Sequence, residues 1–229
     1  MLNLQKISAI TLDLDDTLWP IWPTIERAEQ ALQDYLLGHA PRASALFADP
    51  AARLALRHEV MAAQPELLHQ LSNLRLAQIR LALERSGEDS ALAEPAFEVF
   101  FDERNRVTLF DDALPALDFL SARFPLVALS NGNADLARVG LAAYFKAGLS
   151  AQVFGVGKPD RRIFEAAAQA AGVPPDEVLH IGDDAELDVL AALACGMQTA
   201  WVNREDKLWP HAAEPHETVR SLAELTALF

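Results

Sequence analysis

The chain has 229 residues, 51% of them hydrophobic, and 33 Asp+Glu against 19 Lys+Arg leave a formal net charge of −14 at pH 7. That length holds one large domain, or a core plus a smaller insert, and so apolar a chain offsets its ordering entropy by burial, which excludes intrinsic disorder. The charge argues against a nucleic-acid partner, because a phosphate polymer would meet a negative surface and the Lys and Arg residues are scattered rather than clustered. An anionic small molecule binds such a chain only where a cation overrides the field locally. The single Cys195 cannot form an internal disulfide, which fits a reducing compartment. Met1 to Leu12 lacks the basic start and long apolar stretch of a secretory leader, and the longest uncharged run, Val189 to Asn203, is too short to span a bilayer. The expectation is a soluble, cytoplasmic protein with no membrane partner.

In chain order, the run Ile7 to Leu14 is short, β-rich and apolar and meets carboxylates at its end, as a buried parallel strand does. From about 24 to 106 the strand signal disappears and helical spacing replaces it, as in Ile25, Ala28, Leu32 and Leu36, then Leu68, Leu71, Ile79 and Ala82. Pro41, Pro50, Pro65 and Pro95 punctuate this block into roughly four helices. Asp112 is the expected N-cap of a helix over Leu114 to Arg123. Beyond it, short apolar runs alternate with helices: Pro125 to Leu129, Ser150 to Phe154, Val178 to Ile181 and Gln198 to Val202, with Gly172 and Gly196 closing the helices between them. Ser221, Leu222, Leu225 and Leu228 predict an amphipathic closing helix. Strand and helix in alternation mean βαβ units, so the fold class is α/β: a doubly wound parallel sheet, Rossmann-like, with an inserted all-helical domain. The core comprises residues 1–18 and 108–229, the helical insert residues 19–107.

In such sheets the ligand site lies beyond the carboxyl ends of the strands, so the polar groups there carry the chemistry. The first strand delivers Asp13, Asp15, Asp16 and Thr17, and the second Ser130, Asn131 and Gly132. Gly155-Val156-Gly157-Lys158-Pro159 follows the third, and Gly182, Asp183, Asp184 and, further on, Asp188 follow the fourth. Asp13 and Asp15 point to the same side of an extended strand end, about 7 Å apart. Carboxylates converging in a partly desolvated crevice raise one another's pKa values, and a hard divalent cation resolves the conflict. Mg²⁺ typically takes one or two carboxylates, keeps waters and reaches for phosphate oxygens, while Lys158, Thr17 and Ser130 offer donors to the remaining oxygens of a phosphoryl group.

These pieces, in this order, resemble the haloacid dehalogenase superfamily. Asp13-Leu14-Asp15-Asp16-Thr17 matches its Asp-x-Asp-x-Thr motif, Ser130 its strand-ending Ser or Thr, Lys158 its Lys before a helix, and Gly182, Asp183 and Asp188 its Gly-Asp-x₄-Asp. The helical block just after the first motif is similar to the cap of one branch. The resemblance implies a phosphatase acting on a small-molecule phosphate ester. Asp13 is then the nucleophile that forms an aspartyl phosphate, and Asp15 the acid that protonates the leaving oxygen and later deprotonates water. Mg²⁺ sits on Asp13, the Asp15 carbonyl and Asp183, with Asp184 or Asp188 behind. Thr17, Ser130, the Asn131 backbone amide and Lys158 hold the phosphoryl oxygens.

The dehalogenase branch replaces the second Asp of the first motif, which here is present as Asp15; phosphomutases and sugar phosphatases keep it, and a non-catalytic metabolite-binding protein on the same fold is a further alternative. Ile7 to Leu18, Asn131-Gly132-Asn133-Ala134 and His180-Ile181-Gly182-Asp183-Asp184 through Trp201, with Pro65-Glu66, His69 and Arg75 in the insert, resemble bacterial phosphatases that act on FMN and on the phosphorylated ribitylaminouracil of riboflavin biosynthesis. Trp19 and Trp22 either stack on a planar ring of a substrate or pack a hinge. Arg75 shares a helical face with Leu68, Leu71, Ile79 and Ala82, and so either snorkels or meets a ligand. His180 reads as a satisfied core histidine, and Cys195 as a small buried hydrophobe.

Overall fold

Alternating short apolar runs and helices fold as the periodicity predicts in the computed structural model, which describes residues 1–229. In chain order the elements are β1 (Ala9–Leu12), α1 (Ile21–His39), α2 (Pro41–Ala48), α3 (Pro50–Ala63), α4 (Leu71–Ser86), α5 (Ala93–Arg104), α6 (Ala113–Ser121), β2 (Leu126–Ser130), α7 (Leu136–Val139), β3 (Ala147–Ser150), α8 (Ala151–Phe154), α9 (Arg161–Ala171), β4 (Val178–Gly182), α10 (Ala191–Ala194), β5 (Gln198–Val202), β6 (Glu217–Val219) and α11 (Leu222–Thr226). A π-helical turn, Ala185–Leu190, leads into α10. No helix is long and apolar enough to cross a membrane.

The chain divides into two compact units. One comprises residues 1–20, 108–132 and 140–229 and holds the whole sheet; the other comprises 21–107 and 133–139. The segment 133–139 therefore groups with the helical unit, although it follows a strand in sequence. Asp135 explains this locally: its backbone N–H donates to Asn105 Oδ1 at 2.7 Å, while Arg138 pairs with Asp102 at 2.7 Å and Glu98 at 3.2 Å.

The six strands are all parallel, in the order β3-β2-β1-β4-β5-β6. β1 lies centrally, with Ile10 opposite Leu126 on one side and Leu179 on the other. Every residue of β1, β2, β4 and β5 is buried, as helices on the faces of a parallel sheet require. Ile163, Phe164, Ala167 and Ala168 of α9 and Ala191 and Ala192 of α10 close one core cluster over Ala9, Val127, Leu129 and Val178. Asp160 caps α9 by accepting from Arg162 N–H at 2.9 Å, and Gly172, at φ 91°, ends it.

Two expectations give way here, and one strand goes unforeseen. Ser150 to Phe154 is not a strand: β3 occupies Ala147–Ser150 and ends where Ser150 caps α8, its Oγ accepting from Val153 N–H at 3.3 Å. β6 carries no apolar run, only Glu217, Thr218 and Val219, and so gives no strand signal; it pairs along the edge of β5. Asp112 does not cap α6 with its side chain, because its carboxylate accepts instead from both Arg204 terminal nitrogens and from Leu222 N–H at 2.6 Å, joining the start of α11 to the loop after β5.

The helical unit contains five α-helices between residues 21 and 104 rather than four, since Pro41 and Pro50 each start a new helix at its first turn instead of merely interrupting one. Its core gathers Ala28, Leu32 and Leu36 of α1 with Ile79, Ala82 and Leu83 of α4 and Ala96 and Phe100 of α5. Leu68 stays 52% exposed, so the apolar face expected from Leu68 through Ala82 begins only at Leu74.

Candidate active site

The carboxyl ends of β1 and β4 bring together side chains far apart in sequence. Asp13 directly follows β1 and is fixed by its own N–H donating to Ile181 O at 2.9 Å. Lys158, in the loop before α9, places Nζ 2.6 Å from Asp13 Oδ1 and 2.5 Å from Asp188 Oδ1. All three residues are buried. Asp188 spends both oxygens on protein donors: Oδ1 also accepts from His180 Nε2 at 3.1 Å, and Oδ2 accepts from Asp184 N–H at 3.1 Å. His180 is tied at its other nitrogen to Thr11 Oγ1, at 2.8 Å across the β1–β4 pair, so it is the satisfied core histidine the sequence suggests and also a support for Asp188.

Asp183 follows β4. Its Oδ1 accepts from Thr17 Oγ1 at 3.2 Å and its backbone carbonyl from Trp201 Nε1 at 2.7 Å. Carboxylate oxygens of Asp13, Asp183 and Asp188 all lie within 4.8 Å of one another. At ordinary separations such a cluster repels itself, and the electrostatics show it. Burial pushes the Asp13 carboxyl well above the usual range, with Lys158 opposing and Asp188 and Asp183 adding. Burial, Asp188 and Asp16 push Asp183 up to about 7. Burial penalises the charged form of Lys158 too, yet Asp13 and then Asp188 outweigh it and hold the ammonium above its ordinary range; burial likewise opposes the ionised Asp188, but Lys158 with His180 holds it below the carboxylate range. Burial also lowers His180.

This donor set fits a hard divalent cation: oxygen ligands only, in excess negative charge that one ammonium does not balance, on two carboxyls whose ionised forms are disfavoured without further positive charge. Asp13 and Asp183 are the ligand candidates, because Asp188 is already spent on Lys158, His180 and a backbone amide. Asp184 is not brought into the cluster. It is exposed, and its Oδ1 accepts from Glu186 and Leu187 N–H at 2.8 and 2.7 Å as the cap of the following turn.

The remaining expected site residues divide sharply. Asp15 receives a hydrogen bond at 2.8 Å from the indole of Trp19, which is fully buried and presents no open face for stacking. Ser130 ends β2 with Oγ accepting from Gly132 N–H at 2.9 Å. Asn131 acts through its side chain, donating to Lys158 O at 2.8 Å and accepting from Lys158 N–H at 2.7 Å, a two-bond clamp on the lysine's backbone. Gly157 allows that clamp: a Cβ there would overlap Asn131 Oδ1. Arg75 belongs to the helical unit, where it pairs with Glu29 and lies 4.8 Å over the Phe100 ring. Trp22, in the same unit, is 70% exposed.

Sequence reasoning missed Arg204. Its terminal nitrogens hold Asp112 at 3.0 and 3.1 Å and Thr17 O at 2.9 Å, and its guanidinium stacks 3.9 Å over Phe110, so it ties the loop after β1 to the loop after β5. The rule that singled out the other strand ends applies equally after β5 and would have found it.

The chain matches the haloacid dehalogenase-like hydrolase family over residues 7–196. It is 35% identical, over 98% of this chain and 97% of the relative, to the 5-amino-6-(5-phospho-D-ribitylamino)uracil phosphatase YigB of Escherichia coli. It is 32% identical, over 94% and 96%, to a phosphoserine phosphatase of Thermus thermophilus. Among solved structures, a 2-haloacid dehalogenase from Pseudomonas syringae pv. tomato superposes with a TM-score of 0.91 at 36% identity, covering 97% of both chains.

Proposed function

This chain belongs to the haloacid dehalogenase-like hydrolases and is a phosphatase, and we propose that it hydrolyses a small phosphate monoester with Mg²⁺ through an aspartyl phosphate on Asp13. The observation that carries this is the buried Asp13 carboxyl, held 2.6 Å from Lys158 Nζ and crowded by Asp183 and Asp188. Mg²⁺ on Asp13, Asp183 and the Asp15 carbonyl would supply the charge neutralisation that lets an anionic ester approach these carboxylates.

Asp13 forms a bond from a carboxylate oxygen to phosphorus while the bond from phosphorus to the ester oxygen breaks, and Asp15 gives its proton to that departing oxygen, releasing an alcohol. Asp15, now a carboxylate, takes a proton from a water whose oxygen attacks phosphorus. The Asp13–phosphorus bond breaks, inorganic phosphate leaves, and Asp15 is protonated again. Lys158 keeps Asp13 oriented and offsets charge on the phosphoryl oxygens; the Ser130 hydroxyl and the Asn131 backbone N–H offer hydrogen bonds at the same strand ends, while the Thr17 hydroxyl is given to Asp183. Loss of halide requires no proton, so an intact Asp15 favours ester cleavage over dehalogenation despite the close superposition on a solved dehalogenase.

The substrate class we favour is FMN or a phosphorylated intermediate of riboflavin synthesis, supported by the nearly full-length similarity to YigB. A cytoplasmic setting suits the single unpaired Cys195. A phosphate-release screen over sugar phosphates, nucleotides, phosphoserine, FMN and phosphoribitylamino-uracil with Mg²⁺ tests both levels. The expected result is release that EDTA and Asp13→Asn each abolish; chloride release from a 2-haloacid without any phosphatase turnover overturns the proposal.

A further inference from the structure

Thr17 is held from two directions within the sheet-bearing unit. Its hydroxyl donates to Asp183 Oδ1 at 3.2 Å, while its backbone carbonyl accepts from Arg204 Nη2 at 2.9 Å. Thr17 is fully buried and directly follows Asp16, whose φ of 57° reverses the chain. Arg204 is itself fixed. Its two terminal nitrogens grip both oxygens of Asp112 at 3.0 and 3.1 Å, its guanidinium lies 3.9 Å over the Phe110 ring, and Asp112 is anchored in turn by Leu222 N–H at 2.6 Å. The preceding residue, Asn203, donates its N–H to Val219 O at 2.7 Å and closes on the Lys207 backbone through both ends of its amide at 2.8 Å. The rigid fork therefore offers its third bond to Thr17 from a set position.

We propose that Arg204 is a positioning residue for the divalent-cation site: by holding the Thr17 carbonyl it sets where the Thr17 hydroxyl meets Asp183, and so how the Asp183 carboxylate is oriented toward the ion. The inference rests on the metal role of Asp183 given above. A hydroxyl hydrogen turns freely, but the oxygen that carries it goes where the backbone of its residue puts it. Trp201, on β5, fixes the Asp183 backbone at its carbonyl. The carboxyl can still turn about its side-chain bonds, and the Thr17 hydroxyl restrains it. Arginine suits this place because its plane makes two bonds to Asp112 and one to Thr17 while stacking on Phe110; a lysine ammonium carries the same charge without the fork.

Mg²⁺ alone is the probe, titrated calorimetrically into chelator-stripped enzyme, so that the readout is binding and not turnover. Arg204→Lys keeps the charge and removes the fork; its Kd for Mg²⁺ is expected to rise about tenfold, the lower end of the ~10–100-fold that losing the support of a metal ligand costs. Thr17→Val deletes the hydroxyl and should weaken Mg²⁺ at least as much. The double variant should bind no more weakly than Thr17→Val, because the arginine acts through the threonine. Asp112→Asn loosens the fork with Arg204 and Thr17 both in place; it should raise Kd too, and carries the test if Arg204→Lys does not fold. An unchanged Kd in these variants leaves the arginine a structural tie and overturns the proposal, as do losses that add in full in the double variant. Wild type and Asp183→Asn test the premise separately: a wild type that takes no Mg²⁺, or an Asp183→Asn that takes it as tightly, removes the metal role from Asp183 and the proposal with it.

Discussion

Gly182 gives up its side-chain position to Asp188: a Cβ built on this buried glycine would overlap the Asp188 carboxyl carbon and Oδ2. Gly182 lies at the end of β4 and Asp188 on the π-helical turn that follows, so the missing side chain sets how closely the acid approaches the sheet. Gly182→Ala is therefore expected to push Asp188 off Lys158 and off the Asp184 amide. The overpacking should cost about 1–3 kcal/mol, with kcat falling more than KM rises. Urea denaturation and steady-state kinetics on the same preparation check both, and a variant with unchanged kcat would show that Asp188 needs no such proximity.

Lys158 is the one ammonium between Asp13 and Asp188. Removing one partner of a buried ionic set strands the others, at a cost of about 3–5 kcal/mol. Lys158→Met, which keeps most of the apolar stem, should be strongly destabilised at pH 8. It should recover part of the loss near pH 5, where the stranded carboxyls take up protons. Pairing it with Asp188→Asn should cost less than the two single losses added together, measured as a double-mutant cycle in denaturant.

Asp183 has a pKa near 7 in the folded, metal-free chain, above its unfolded value, so the folded state binds the proton more tightly. Its contribution to stability is full below the unfolded carboxylate pKa of about 4 and is lost as pH rises through about 7. Calorimetry in EDTA should find that the wild-type melting temperature declines between pH 5 and 8 more steeply than that of Asp183→Asn. Parallel slopes would mean that Asp183 ionises without penalty.

A divalent ion that binds only the folded cluster reverses this trend, because it competes with the same protons. Millimolar Mg²⁺ should raise the melting temperature more at pH 8 than at pH 6. At a hundredfold excess over Kd the gain corresponds to about 2.7 kcal/mol. Asp183→Asn should remove most of the gain, and Asp184→Asn, at an exposed capping position, little of it.

The sequence by itself determined four of the six strands and the identity of the reactive ends. Buried parallel strands announce themselves as apolar runs, and polar residues at their ends have few reasons to be there, so Asp13, Asp15, Thr17, Ser130, Lys158 and Asp183 could be picked out one strand at a time. β6 was invisible because an edge strand of three residues with one buried position carries no periodic signal. Tertiary structure alone decided which carboxylate does what. Asp184 and Asp188 look interchangeable in sequence, yet one faces solvent and caps a turn while the other is driven beneath Gly182 onto Lys158 and His180. The same holds for Trp19, whose partner Asp15 is set by a left-handed turn at Asp16 that no spacing rule foretells, and for Arg204, whose partners Asp112 and Thr17 lie far away in the chain. The physical reason is common to all three: local pattern reports whether a residue is buried, whereas the direction of a hydrogen bond or a charge depends on groups that only folding brings within a few ångströms.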